Sequence, residues 1–262
     1  MGTTKKTSES AAGKIWKHVS PRLIDADGRK VMQDSTSAGL RSLYHHMEWR
    51  YAQLVLQNQR LRLSAVSSWS DPYEKAWVNI LFNRPGSVLK GAEAYGICFT
   101  TSTYDEPAWR MHGFSRPPPM VRLMLRKNSI LDAIRVSLAL HAGSWFLGSV
   151  RYRQTTELNS LARTVVGHEQ KDVSRMAAAM LLHKRNAFVF ENEVRLLLIL
   201  PPGTSAGDAV FLPIPTSAVT QVMSSPHATD AECCRVEGEL SVLGKKLTRS
   251  RVLRGPSWTL VP

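Results

Sequence analysis

AFVFENEVRLLLIL, residues 187–200, is the stretch on which the reading of this chain turns. Its apolar, β-prone composition makes it the longest strand candidate, with charge concentrated near its start. Successive strand side chains alternate faces, so Glu191, Glu193 and Arg195 are expected to share one face and Phe190, Asn192 and Val194 the other. Acidic residues are depleted in strands, and like charges two positions apart repel, so that face is costly unless Arg195 or a ligand compensates. Two readings stand open on spacing alone: a paired-carboxylate site, or an exposed edge strand with a solvated face.

Around this stretch strands and helices mingle. Residues 43–46 read as a strand running into a helix in which Trp49, Ala52, Val55 and Leu56 recur at helical spacing. Leu61 and Leu63 alternate with Arg60 and Arg62 in a short strand, and Asp71 before Pro72 starts a helix over 73–82. AYGICFTTS (94–102) is a buried strand, residues 104–111 a short helix with Trp109, and MVRLMLR (120–126) a strand before a helix capped by Asn128 and Ser129. SWFLGSVRYR (144–153) reads as one strand and 155–166 and 170–185 as helices, while 209–212 and 218–223 are short strands and 229–243 a helix. Without the regular strand–helix alternation of a doubly wound sheet, the class is α+β. Residues 1–38, rich in Ser, Thr, Lys and Gly, read as a flexible basic tail, leaving 39–262 as a single domain.

With 262 residues and 43% hydrophobic content, the chain has the composition of a folded protein. Its longest apolar run, 176–182, is far below the roughly 20 residues of a membrane span. The N-terminus lacks the apolar core of a secretory signal, so a cytoplasmic protein without membrane contact is expected. Three cysteines, Cys98, Cys233 and Cys234, fit neither a disulfide framework nor a CxxC site, and no metal is expected. Lys plus Arg is 34 against 21 Asp plus Glu, a net charge of +13. That suits a polyanionic partner, but 22 of the 34 basic residues are Arg, and compositional bias explains the charge equally well.

Phosphate-loop, dinucleotide-fold, zinc-protease and hydrolase signatures are missing from the sequence. The Tyr44-His45-His46 stretch ends the first of these strands, where a neutral imidazole suits a ribose hydroxyl or a carbonyl, though a packed, satisfied histidine fits as well. Trp69 and Trp109 lie beside polar groups in turn-to-helix segments, and each also reads as core.

In order, these motifs resemble those of the bacterial family known as domain of unknown function twenty-nine seventy-one. The matches are Tyr44-His45; Arg62-Leu63-Ser64 with Ser70-Asp71-Pro72-Tyr73-Glu74; Cys98-Phe99-Thr100; Ala108-Trp109 with His112; and Phe188-x-x-Glu191-x-Glu193-x-Arg195. The resemblance spans about residues 42–254. Ser70, Ala108, His112 and Phe188 depart from the family's usual Asn, Met, Tyr and Trp, most of all around Trp109.

That family in turn resembles the ADP-ribosyltransferase fold: two packed β-sheets around a cleft that binds NAD, with peripheral helices. The resemblance implies a contact between His45 and the adenosine-side ribose, and places Tyr44, Arg62, Ser64, Asp71 and Trp109 with it as NAD-contacting residues. It implies Glu193 as the carboxylate that stabilises an oxocarbenium-like ribose and Glu191 as the group that orients or deprotonates the acceptor. Arg62 or Arg195 would meet the pyrophosphate, unless Arg195 simply pairs with its neighbouring carboxylates. The expected function is NAD-dependent ADP-ribosyl transfer to a nucleic-acid or protein acceptor by a toxin or phage-defence effector, with an antitoxin as a further partner. A non-catalytic nucleic-acid-binding or regulatory module on the same fold is the alternative, and NAD hydrolysis without a macromolecular acceptor is a third.

Overall fold

The computed structural model describes residues 20–24, 30–102, 109, 119–138, 143–166 and 173–252. Its strands, in chain order, are β1 (Ser20–Ile24), β2 (Lys30–Gln33), β3 (Ser42–Glu48), β4 (Arg60–Ala65), β5 (Glu93–Thr100), β6 (Met120–Arg126) and β7 (Ser144–Ser149). They continue with β8 (Arg151–Arg153), β9 (His183–Arg185), β10 (Glu193–Leu200), β11 (Ala209–Pro213), β12 (Val219–Ser224) and β13 (Leu247–Arg249). The α-helices are α1 (Ser35–Ala38), α2 (Trp49–Asn58), α3 (Pro72–Val78), α4 (Lys127–Ser137), α5 (Thr155–Val166), α6 (Val173–Leu181) and α7 (Asp230–Val242). The class is α+β. None of the described helices is long and apolar enough to cross a membrane.

Among the described residues one sheet runs β1-β2-β7-β10-β5-β3-β6-β12-β13, with β4 also on β5 and β11 on β4, while β8 and β9 pair separately. The decisive feature is a fork at β5. Its one edge pairs with β10 along its whole length, from Glu93 to Thr100. On the other edge, Tyr95 and Gly96 pair with β4, whereas Thr100 pairs with Tyr44 of β3. Between these contacts, at Ile97, Cys98 and Phe99, β3 and β4 diverge and the sheet opens into a cleft. The two sheets expected from the resemblance therefore share β5.

β10 is central. It lies antiparallel between β5 and β7 and is buried from Val194 onward, so the solvated edge-strand reading does not hold. Leu196, Leu198 and Leu200 join the apolar layer beneath α2 and α4, while Leu197 and Ile199 join a second layer with α3 and α6. Burial on both faces accounts for the uninterrupted Leu and Ile run, since neither face has to meet water.

Several local expectations change. The strand read over 187–200 begins only at Glu193, because residues Asn186–Glu191 form a 3₁₀ turn and Asn192 takes the left-handed conformation (φ 43, ψ 48). Asn tolerates that conformation better than most side chains, and it ends the turn before the strand starts. The helix read over 170–185 stops at Leu181, and β9 follows from His183 to pair in parallel with β8. The strand read over 144–153 breaks at Val150 into β7 and β8. Helix α4 starts at Lys127 with no side-chain cap, rather than from Asn128 and Ser129. Part of the expected tail also belongs to the sheet: β1 pairs with β2, and β2 with β7. The Asp34 carboxylate anchors this segment by capping α1 at Ser37 N (2.7 Å) and accepting Ser149 N–H (3.0 Å), a long-range tie that local composition does not reveal. The expected helix at 104–111 lies outside the described residues apart from Trp109.

Gly96 allows the close packing at the fork. A β-carbon there would stand 2.7 Å from Trp69 Cζ2 and 2.9 Å from Leu197 Cδ2, both well inside contact distance. Gly96→Ala is therefore expected to displace the indole and destabilise the protein by about 1–3 kcal/mol, read as a lowered midpoint in thermal unfolding. An unchanged midpoint would show that the Trp69 wall is soft.

Candidate active site

Four elements deliver charged side chains to one buried cluster beside the fork. β10 supplies Glu193 and Arg195, the 3₁₀ turn supplies Glu191, β9 supplies Lys184, and α3 supplies Glu74. Arg195 is fully buried. Its Nε and Nη2 donate to Glu193 Oε2 at 2.9 and 2.6 Å, Nη2 also meets Glu74 Oε1, and Nη1 donates to the Leu181 carbonyl at 2.6 Å. Its guanidinium stacks on Trp69 with 4.7 Å to the ring centroid. Every nitrogen is thus occupied inside the protein, which favours the carboxylate-pairing reading of Arg195 over a pyrophosphate contact.

Lys184 Nζ bridges Glu191 Oε2 (2.5 Å) and Glu193 Oε1 (3.1 Å). Glu191 and Glu193 thus converge although they do not share a strand. The Glu193 main-chain N–H donates to Tyr152 Oη at 2.9 Å, which fixes the start of β10 from the β8 side. Around these groups two cations face three carboxylates, so full ionisation leaves a buried negative charge in excess. Burial, reinforced by the neighbouring Glu193 carboxylate, pushes Glu191 up to about 7 despite Lys184. Burial alone would raise Glu193 as well, but Arg195, the hydrogen bond from Glu191 and Lys184 hold it down to about 2. Two carboxyl groups in one cluster are thereby separated, one a standing anion and one able to exchange a proton near neutrality.

His45 spans the fork. Its Nδ1 lies 2.7 Å from the Cys98 carbonyl, and a carbonyl only accepts, so Nδ1 carries the proton. The ring also meets Phe99 edge-on at 5.7 Å. Tyr44, beside it on β3, lies under the Arg122 guanidinium at 4.6 Å.

Two adjoining cavities open here, and His45 and Cys98 line both. The smaller, about 480 Å³, contains Tyr44, Asp71, Lys184, Arg185, Glu191 and Glu193. The larger, about 720 Å³, contains Arg60, Arg62, Ser64, Trp69, Tyr51 and Phe211 and no acidic residue. Tyr51 and Phe211 remain 49% and 44% exposed, each beneath an arginine: Arg50 over Tyr51 at 4.7 Å and Arg60 over Phe211 at 4.4 Å. Ser64 Oγ lies 3.4 Å from Trp69 Nε1, which donates to it.

Of the residues singled out from sequence, Tyr44, His45, Asp71, Glu191 and Glu193 thus meet in the smaller cavity, and Arg62 and Ser64 line the larger. Asp71 has local work as well: Oδ1 caps α3 at Tyr73 N (2.7 Å) and Oδ2 accepts from Arg185 Nη2 (3.1 Å). Trp109 stands apart from both linings, buried against His46 at 4.5 Å, and its placement matches the core reading. His46 also borders the smaller cavity. Lys184, Arg185 and the role of Glu74 were missed. His-Lys-Arg at 183–185 reads as the end of a helix, and only the parallel pairing with β8 turns Lys184 inward. Glu74 stood in a quoted motif, but a glutamate in the first turn of a helix is ordinarily explained by the helix dipole.

No family model matches the chain, and no curated protein does. Among solved structures, it is similar to Thermus sp. 2.9 DarT in complex with NAD+, at 11% identity and TM-score 0.36 over 80% of this chain and 96% of that one. It is also similar to the same protein in complex with carba-NAD+, at 10% identity and TM-score 0.36 over 81% and 96%. A third similarity is to that protein in complex with ADP-ribosylated ssDNA, at 10% identity and TM-score 0.38 over 80% and 94%.

Proposed function

We propose that the protein is an NAD-dependent ADP-ribosyltransferase whose reaction takes place in the smaller cavity. The observation that carries this reading is the fixed Glu193 carboxylate: anchored through Oε2 by Arg195 and contacted through Oε1 by Lys184, it borders a cavity shared with His45. Each carboxylate oxygen has two lone-pair directions, so Oε1 can accept a ribose 2′-hydroxyl as well as Lys184. Nicotinamide leaves with the electron pair of the bond to ribose C1′, and the resulting oxocarbenium is stabilised by the preorganised Glu193 anion. The acceptor's heteroatom then bonds to C1′ and gives up its proton to Glu191. The ADP half lies in the larger cavity, with Arg62 and Arg60 toward the pyrophosphate and the Tyr51 and Phe211 rings available to the adenine.

The acceptor reading favours a polyanion. Lys245, Lys246, Arg249 and Arg251 follow one another without an intervening acid, although Arg249 pairs with Asp230 of α7. Incubation with NAD labelled in the adenylate moiety, offering single-stranded nucleic acid, protein or water alone, separates the options. Label on nucleic acid is expected. Label on protein moves the acceptor class, and free ADP-ribose alone indicates an NAD hydrolase. No product with any acceptor leaves the binding-module alternative.

His45 is expected to contact NAD rather than to move a proton. His45→Ala should raise the KM for NAD about tenfold while kcat changes less, and the pH profile should keep its limbs near the histidine pKa of about 6.5. A lost limb would make His45 an acid or base instead.

A further inference from the structure

Lys184 is buried, and its ammonium touches both carboxylates of the site from a strand that belongs to neither. The support of the two carboxylates is unequal. Glu193 has a second cation, with both Arg195 Nε and Nη2 on Oε2 and the main-chain tie to Tyr152. Glu191 has the Lys184 ammonium and the neighbouring Glu193 carboxyl, and it ends a 3₁₀ turn whose next residue, Asn192, is left-handed. Loss of the Lys184 contact would leave Glu193 anchored and Glu191 able to swing on a short turn.

We propose that Lys184 is a positioning residue, a clamp that joins the two carboxylates and holds the Glu191 carboxyl toward an incoming acceptor while Arg195 holds Glu193 in place. This rests on the ADP-ribosyl transfer reading above. The ammonium meets Glu191 from the turn and Glu193 from β10, with Arg195 of β10 and Cys98 of β5 also in its field. Tyr152 of β8 and Glu74 of α3 reach the cluster through Glu193 and Arg195. The same cavity is bordered by His45 and His46 of β3, by Asp71 at the start of α3 and by Arg185 of β9, the last two paired with each other. Burial pushes the Tyr152 hydroxyl and the Cys98 thiol up, so both stay protonated and leave the ionic balance to the lysine, the arginine and the three glutamates.

The test begins without NAD. In protein labelled with carbon-13 at the glutamate carboxyls, Lys184→Met should move the carboxyl that titrates near neutrality up by about one pH unit or more, because an opposite charge within hydrogen-bond distance has been removed. Acceptor transfer should fall at least about tenfold with the KM for NAD changed less than about twofold, and the base limb of its pH profile should move up with the titration. Lys184→Arg, which keeps the cation, should restore most of the transfer. If Lys184→Met does not fold, Lys184→Met/Glu191→Gln removes the like-charge pair. Its transfer should match that of Glu191→Gln alone, since a residue acting through another adds no further loss once that partner is gone. An unmoved titration in folded Lys184→Met, or a multiplicative loss in the double variant, overturns the proposal. A titration that moves in a protein that turns over no NAD upholds the clamp but overturns the transfer reading on which its purpose rests.

Discussion

Glu193→Gln is expected to lower nicotinamide release by about a thousandfold, with NAD affinity changed by less than about threefold. The asymmetry follows from when the charge matters. Gln keeps the size of Glu193 and can still accept from a ribose hydroxyl, so the ground-state complex loses little. The positive charge on the ribose appears only as nicotinamide departs, and a neutral amide offers it no compensating charge. Because Arg195 and Lys184 outweigh the burial of Glu193, this anion persists throughout the neutral and mildly acidic range. Single-turnover release, paired with calorimetric NAD binding, reads the two quantities separately. Equal losses in binding and turnover would mean that Glu193 holds the donor rather than promoting its cleavage.

Arg195→Met carries the largest expected effect on stability. Arg195 is 0% exposed and is the cation shared by Glu193 and Glu74, both of which remain buried or nearly so when it is removed. Leaving buried carboxylates without their partner is expected to cost about 3–5 kcal/mol, read as a fall of roughly 10 °C or more in the thermal midpoint. The pairing also predicts a pH dependence. Glu193 is held from its ordinary value of 4.5 down to about 2, so the stability it contributes is complete above the higher value and is lost as pH falls toward the lower one. In the Arg195→Met protein that part of the acid-unfolding slope should disappear. A midpoint within about 2 °C of the parent would show that water or local rearrangement replaces the guanidinium.

The alternating Glu193 and Arg195 could be read directly, because a strand places residues two apart on one face and both lie within β10. The same periodicity misplaced Glu191, because nothing in a Phe-Glu-Asn-Glu run announces that Asn192 will turn left-handed and close a 3₁₀ turn. Convergence of Glu191 and Glu193 was therefore anticipated for a reason the backbone does not support: Lys184 draws them together from a different strand. Lys184 and Glu74 reach the cluster through pairings more local to the fold than to the sequence, β9 on β8 and α3 against the end of β10. The fork at Ile97–Cys98–Phe99 was likewise illegible, since AYGICFTTS records a buried strand but not that its partners change along one edge. Amphipathic α2, by contrast, was plain from Trp49, Ala52, Val55 and Leu56, which all face the core.

The measurement that tests the account most directly is chromatographic detection of nicotinamide from NAD incubated with the full chain and a single-stranded nucleic acid. Parent protein and Glu193→Gln should be run side by side at neutral pH. The expected result is release by the parent, with ADP-ribose joined to the nucleic acid, and release by Glu193→Gln near background although NAD still binds. Release undiminished in Glu193→Gln, or NAD left intact by the parent with every acceptor offered, would contradict the assignment of this carboxylate cluster to ADP-ribosyl transfer.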